Sequence, residues 1–198
     1  MFTVIINFQK IIILKSLSYL QEKKTLDKFN SWIEPRLGLL SRASDWNVPI
    51  SKLVGYKDKK DLSPTNASSI SFILEYNDKN YLFLADALAT DVVESLIDSG
   101  YSKENKINSS LVKVSHHGSK NNTTNELLNL IQSCRFVILT NGDMYKHPDK
   151  ESLAKIIHHN PNTCLMFNYE FDFNMLFDEQ DRQEYQHFSY QVIRSITE

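Results

Sequence analysis

The chain has 198 residues, of which 41% are hydrophobic and 23% charged, a composition that supports one sizeable core and excludes a disordered or fibrous protein. The formal net charge of -2 provides no global basic field, so tight, sequence-independent nucleic-acid binding has no support from charge. Two cysteines, Cys134 and Cys164, are too few for a disulfide scaffold and too far apart for a short metal-binding pair, so small buried hydrophobes in a reducing compartment are expected.

The apolar start, residues 1–14, is interrupted by Asn7, Gln9 and Lys10. It is too short to span a bilayer and no small-residue cleavage site follows, so a cytoplasmic protein without membrane association is expected. Residues 1–61 combine two apolar runs, a charged stretch at 21–28, and Trp32 and Trp46 among Pro35, Pro49 and Gly55. This is read as a divergent N-terminal segment packing on the core that residues 62–198 build, the whole forming one folded unit. The charged cluster 57–61, followed by Ser63-Pro64, reads as a solvated turn.

From Ser69 the pattern becomes regular. Runs 70–76 and 81–85, joined by residues 77–80, predict a hairpin. Val92, Val93, Leu96 and Ile97 then fall at helical spacing over 91–99, with Gly100 suited to the left-handed position that ends a helix. Residues 111–114 predict a strand leading into His116, 125–131 a helix, and 135–140 another strand. Pro148 suits the first position of a helix reaching His158, and His158-His159 suits a cationic cap at its end. Runs 163–168, 171–177 and 189–193 predict further strands, with His187 beside the last, and 178–182 a solvated turn.

Three segments set polar groups just after an apolar strand, where side chains are held rigidly yet can face a cleft. They are Leu84-Ala85-Asp86-Ala87, Val114-Ser115-His116-His117-Gly118-Ser119, and Leu139-Thr140-Asn141-Gly142 leading to His147-Pro148. Carboxylate oxygens and imidazole nitrogens are good ligands for zinc or manganese, and Gly118 lets backbone approach a ligand closely. Taken singly, Asp86 reads equally as the N-cap of the next helix, His116 and His117 as loop residues, and His147 as a cap before Pro148.

Together with Asn66-Ala67-Ser68-Ser69-Ile70 at the start of the hairpin, these segments resemble the metallo-β-lactamase superfamily. The likeness is strongest to the ComEC-like hydrolase domains associated with bacterial DNA uptake. It covers roughly residues 62–160, and His-His-Gly-Ser after an apolar strand is its most specific element. The resemblance implies an α+β chain with an αββα sandwich, here partial: one sheet-and-helix half largely complete and the other reduced. It implies that Asp86 and His116 occupy the metal and catalytic position, with Asn66, His117, Ser119 and His147 lining the substrate side and His147 at the mouth of the cleft. It also puts a glycine before the bridging Asp, where this chain has Ala85, a departure assigned to strand packing.

The larger departure is the absence of any histidine before His116, where the family's His-x-His-x-Asp-His signature supplies most ligands. A catalytic zinc ordinarily takes about three protein ligands and an open position. Zinc or manganese would suit the donors, but the expected site is degenerate, or completed by another chain, or left over from a longer ancestor. The implied reaction is metal-dependent hydrolysis, with a phosphodiester as the candidate substrate. The alternative is a non-catalytic module, a homo-oligomer or subunit whose open face is covered by a partner, with residues 2–14 standing in for lost strands.

Overall fold

A computed structural model of the chain describes residues 10–13, 45–143 and 145–193. The charged stretch 21–28, Trp32 and Pro35 lie outside the described residues. The described strands form one mixed sheet in the order β1-β2-β3-β4-β6-β7-β8, with β5 paired to β4. The strands are β1 (Lys10–Ile13), β2 (Phe72–Tyr76), β3 (Lys79–Phe83), β4 (Ile107–Lys113), β5 (Ile131–Ser133), β6 (Arg135–Ile138), β7 (Cys164–Phe167) and β8 (Ser189–Val192). β1, β2 and β3 are antiparallel neighbours; every later pairing is parallel. The expected α+β class therefore holds, with one sheet among the described residues.

The hairpin turn is tighter than the sequence suggested. Asn77 and Asp78 both take positive φ, the geometry of a two-residue turn whose twist matches the flanking strands. Parallel pairing then requires crossovers, and helices supply them: α1 (Ile50–Leu53) and α2 (Pro64–Ala67) precede the hairpin, α3 (Ala89–Asp98) links β3 to β4, and α4 (Asn125–Asn129) links β4 to β5. Helix α5 (Lys150–His159) links β6 to β7, and α6 (Phe173–Leu176) and α7 (Glu179–Glu184) link β7 to β8. Ile50, Leu53, Val92, Leu96, Leu127, Leu153 and Ile157 from the helices join Ile73, Leu82, Val112, Phe136, Leu165 and Phe167 from the strands in the main core. A second cluster of Leu111, Val137 and Met166 arises because neighbouring strand residues point to opposite faces. Both faces of the sheet are thus apolar.

Several local expectations are corrected. Residues 171–177 contain helix α6 rather than a strand, because Asp172 accepts a hydrogen bond from the Met175 amide and Phe173, Leu176 and Phe177 share one helical face. The run 178–182 is the start of α7, capped by Asp178, and Asp181 within it is fully buried against Lys150. Asp58, expected in a solvated turn, accepts from the Asn125 amide at 2.9 Å and from the buried Lys155 ammonium at 2.9 Å. Helix α5 starts at Lys150, with Asp149 as N-cap, two residues later than the proline suggested. Cys134 is exposed and Cys164 half-buried rather than both buried, and His187 sits in the turn before β8. Among the described residues no helix is long and apolar enough to cross a membrane.

His159 is not the cationic cap that its position suggested. Its Nε2 donates to Asn125 Oδ1 at 3.0 Å. Burial, then the neighbouring charges of His158 and Lys106, lower its pKa from 6.5 to about 4. The unfolded chain therefore binds the extra proton between those values, and stability present above pH 6.5 is lost as pH falls towards 4. Discounting for partial exposure, the loss should be on the order of 2 kcal/mol. Urea midpoints at pH 7 and pH 5 check it: His159→Gln should flatten the difference, and an unchanged pH dependence would refute the assignment.

Candidate functional site

The ends of β3 and β4 are neighbours in a parallel pair, Phe83 opposite Lys113, so the residues that follow each strand emerge side by side. The His116 amide donates to Ala85 O at 3.0 Å, tying the two strand ends together. Three non-glycine residues here take left-handed backbone: Ala85 at φ 46, His116 at φ 42 and His117 at φ 59. Such conformations cost of order 1–3 kcal/mol each and concentrate where function over-determines geometry.

Gly118 makes this turn possible. Its φ is +83 and a Cβ there would meet Pro148 Cβ at 2.8 Å, so the turn can press against Pro148 only without a side chain. Asp149 N–H donates to Gly118 O at 3.0 Å and Asp149 Oδ2 accepts from the Lys120 amide at 2.9 Å. The third polar segment is thereby fastened to the second. His147, expected at the cleft mouth, is buried, with its ring 5.6 Å from that of His116 and its Nδ1 3.6 Å from Asp149 Oδ2.

Asp86 does not cap the following helix: the N-cap of α3 is Leu88, with no side-chain cap. The Asp86 carboxylate, 40% exposed, has Oδ1 3.9 Å from Lys113 Nζ. Lys113 Nζ also donates to Ala85 O at 2.7 Å, bracing the strained residue. Burial lowers the Lys113 pKa and the Asp86 charge opposes that.

His116 is held from its Nδ1 side. Asn66 Nδ2 lies 3.1 Å away, Asn122 Oδ1 3.2 Å away and Asp61 Oδ2 3.6 Å away. Asn66 is delivered by α2, where Ser63 caps and Pro64 takes the first position. Asn122 is fully buried. Asp61 Oδ2 accepts from Asn66 Nδ2 at 2.6 Å and Asn122 Nδ2 at 2.9 Å, and its Oδ1 from the Ser63 amide at 2.9 Å. Burial alone would raise the Asp61 pKa, but these hydrogen bonds and the nearby His116 outweigh it and hold the carboxyl below its ordinary value.

Of the other expected site residues, His117 Nδ1 is bonded to Leu139 O at 2.6 Å. Ser119 is buried, and its Oγ accepts from the Asn121 amide at 3.3 Å within the turn. Asp61, Asn122 and Lys113 carry the site's hydrogen bonding yet were not singled out by the sequence. The Asp-x-Ser-Pro start of a helix at Asp61 was the one local signal available.

Among the described residues, no group of three or more His, Cys, Asp or Glu side chains is arranged to hold a metal ion. The donor set of Asp86 and His116 therefore does not fit a complete catalytic metal centre. No family model, curated protein or solved structure matches the chain.

Ala85 sits on left-handed backbone, so the residue there carries a backbone cost that strand packing does not account for. Ala85→Gly should relieve about 1–2 kcal/mol of strain while adding about 0.4–1 kcal/mol of unfolded-chain entropy. The net expectation is a stabilisation of roughly 0.5–1 kcal/mol. Urea denaturation measures it, and a destabilised variant would contradict the strain argument.

Proposed function

We propose that the chain is the C-terminal half of a metallo-β-lactamase-type hydrolase domain of the ComEC-like kind, with Asp86 and His116 at its metal position. In this reading the described residues are too few to hold a hydrolytic ion. The observation that carries the reading is the pair of adjoining strand ends, where a carboxylate and an imidazole follow parallel neighbours joined by the His116–Ala85 hydrogen bond. The sheet supports it too. Crossover helices, packed together with strands in the main core, and a second apolar face at Leu111, Val137 and Met166 suit one half of an αββα sandwich.

The ancestral chemistry in this reading is metal-assisted hydrolysis, with a phosphodiester as the candidate substrate class. No hydrolytic step is assigned to Asp86 and His116 alone: in this reading the site is degenerate or is completed by a partner chain.

Zinc and manganese titrations followed by calorimetry test both parts. Binding should fall far short of the about 10–16 kcal/mol of a structural zinc site, and Asp86→Ala or His116→Ala should abolish what remains. Weak binding that survives both substitutions would remove the metal position from these residues. Tight, stoichiometric binding that both substitutions abolish would overturn the ligand shortfall.

A further inference from the structure

The hydrogen bonds around His116 bear on which ring nitrogen carries the proton. Asn122 Nδ2 donates both to Asp61 Oδ2 at 2.9 Å and to Ala87 O at 3.1 Å. Both amide hydrogens are thus used, and the amide orientation is fixed with Oδ1 facing His116 Nδ1 at 3.2 Å. That oxygen can only accept. Asp61 Oδ2, 3.6 Å from the same nitrogen, adds a negative charge on that side. The one donor group near Nδ1 is Asn66 Nδ2, 3.1 Å away, which gives one hydrogen to Asp61 at 2.6 Å and keeps a second that can point at the ring. Two acceptor oxygens, one of them anionic, therefore face Nδ1 against a single competing donor.

We propose that Asp61 is a positioning residue: by orienting the Asn122 amide it holds neutral His116 in the Nδ1–H tautomer, leaving the Nε2 lone pair as the ring's free ligand or base. This is the arrangement in which the second nitrogen of a metal-binding or proton-accepting histidine is tied to an outer polar group, which fixes the ring and makes the other nitrogen more basic. Its use in chemistry rests on the metal position proposed for Asp86 and His116; the tautomer itself does not. Asp61 precedes the part of the chain that carries the resemblance, so the segment ending at residue 61 supplies the site as well as packing on it.

Nitrogen-15 NMR of histidine-labelled, metal-free protein, at a pH above the ordinary histidine range, reads the tautomer directly. The His116 signals are assigned as those missing in His116→Gln. In the unsubstituted protein Nδ1 should be protonated and Nε2 bare, favoured by about five- to tenfold, the ratio one neutral hydrogen bond supports. Asp61→Asn should release the Asn122 amide to turn and move the ratio towards the Nε2–H form. Asn66→Ala removes the competing donor and should keep or increase the Nδ1–H form.

An Nε2–H form in the unsubstituted protein, an Asp61→Asn spectrum with the original ratio, or a reversed ratio in Asn66→Ala would each overturn the proposal. Should Asp61→Asn fail to fold, the other two spectra still decide it. Because no metal is added, the expected tautomer combined with metal binding that survives Asp86→Ala and His116→Ala would remove the hydrolase reading alone.

Discussion

Lys150→Met is expected to destabilise the protein by about 3–5 kcal/mol, the cost of leaving one member of a buried ion pair without the other. Lys150 and Asp181 are both fully buried; they pair with each other, and Lys150 Nζ also donates to Trp46 O at 3.0 Å. Asp181 Oδ1 accepts from the Ile50 amide at 2.7 Å, so this pair joins α1, α5 and α7. The melting temperature should fall by roughly 6–20 °C, taking about 2–4 °C per kcal/mol for a chain of this size. Replacing both partners, as Lys150→Met with Asp181→Leu, should restore much of the loss, because no charge is then stranded. A single variant within about 1 kcal/mol of the parent in urea titration would refute this account, being no larger than an exposed pair gives.

Gly118→Ala should cost about 2–5 kcal/mol. About 1–2 kcal/mol comes from placing a Cβ on left-handed backbone and about 1–3 kcal/mol from overpacking, since that atom would lie 2.8 Å from Pro148 Cβ and 3.7 Å from Ile138 Cγ2. The damage should reach the site, because relief requires moving either the His116–His117 turn or the start of α5. Urea denaturation gives the stability, and NMR shift changes at His116 and His147 give the displacement. A variant of unchanged stability would mean that the turn and Pro148 are farther apart than described.

Local patterns in the sequence foretold the elements whose signals are local. The hairpin follows from two apolar runs around Asn77-Asp78, and α3 from Val92, Val93 and Leu96 with Gly100 behind it. Helix α6 departs from its local pattern because Phe171, Phe173 and Phe177 have strand-like composition, and only the Asp172 cap and the common helical face reveal the turn of helix. The pairing of Asp58 and the burial of Asp181 could not be read locally. The Lys155 ammonium lies 97 residues from Asp58 and the Ile50 amide 131 residues from Asp181, and a carboxylate in a charged run looks solvated until its distant partner is known.

The candidate site divides in the same way. His116 and Asp86 stand out because they follow apolar strands, whereas Asp61 and Asn122 matter through hydrogen bonds that cross the fold. Lys113 alternates within a strand and so resembles any half-exposed strand residue. Its contact with Ala85 O becomes meaningful only once the backbone at that residue is known to be left-handed.

From β2 to β8, with β5 set aside, the order of the strands across the sheet is their order along the chain. During vectorial synthesis, each strand leaving the ribosome therefore finds its neighbour already made and waiting at the growing edge. Assembly needs no later strand to thread between earlier ones, so the hairpin at Asn77-Asp78 can serve as the template on which translation lays down the rest.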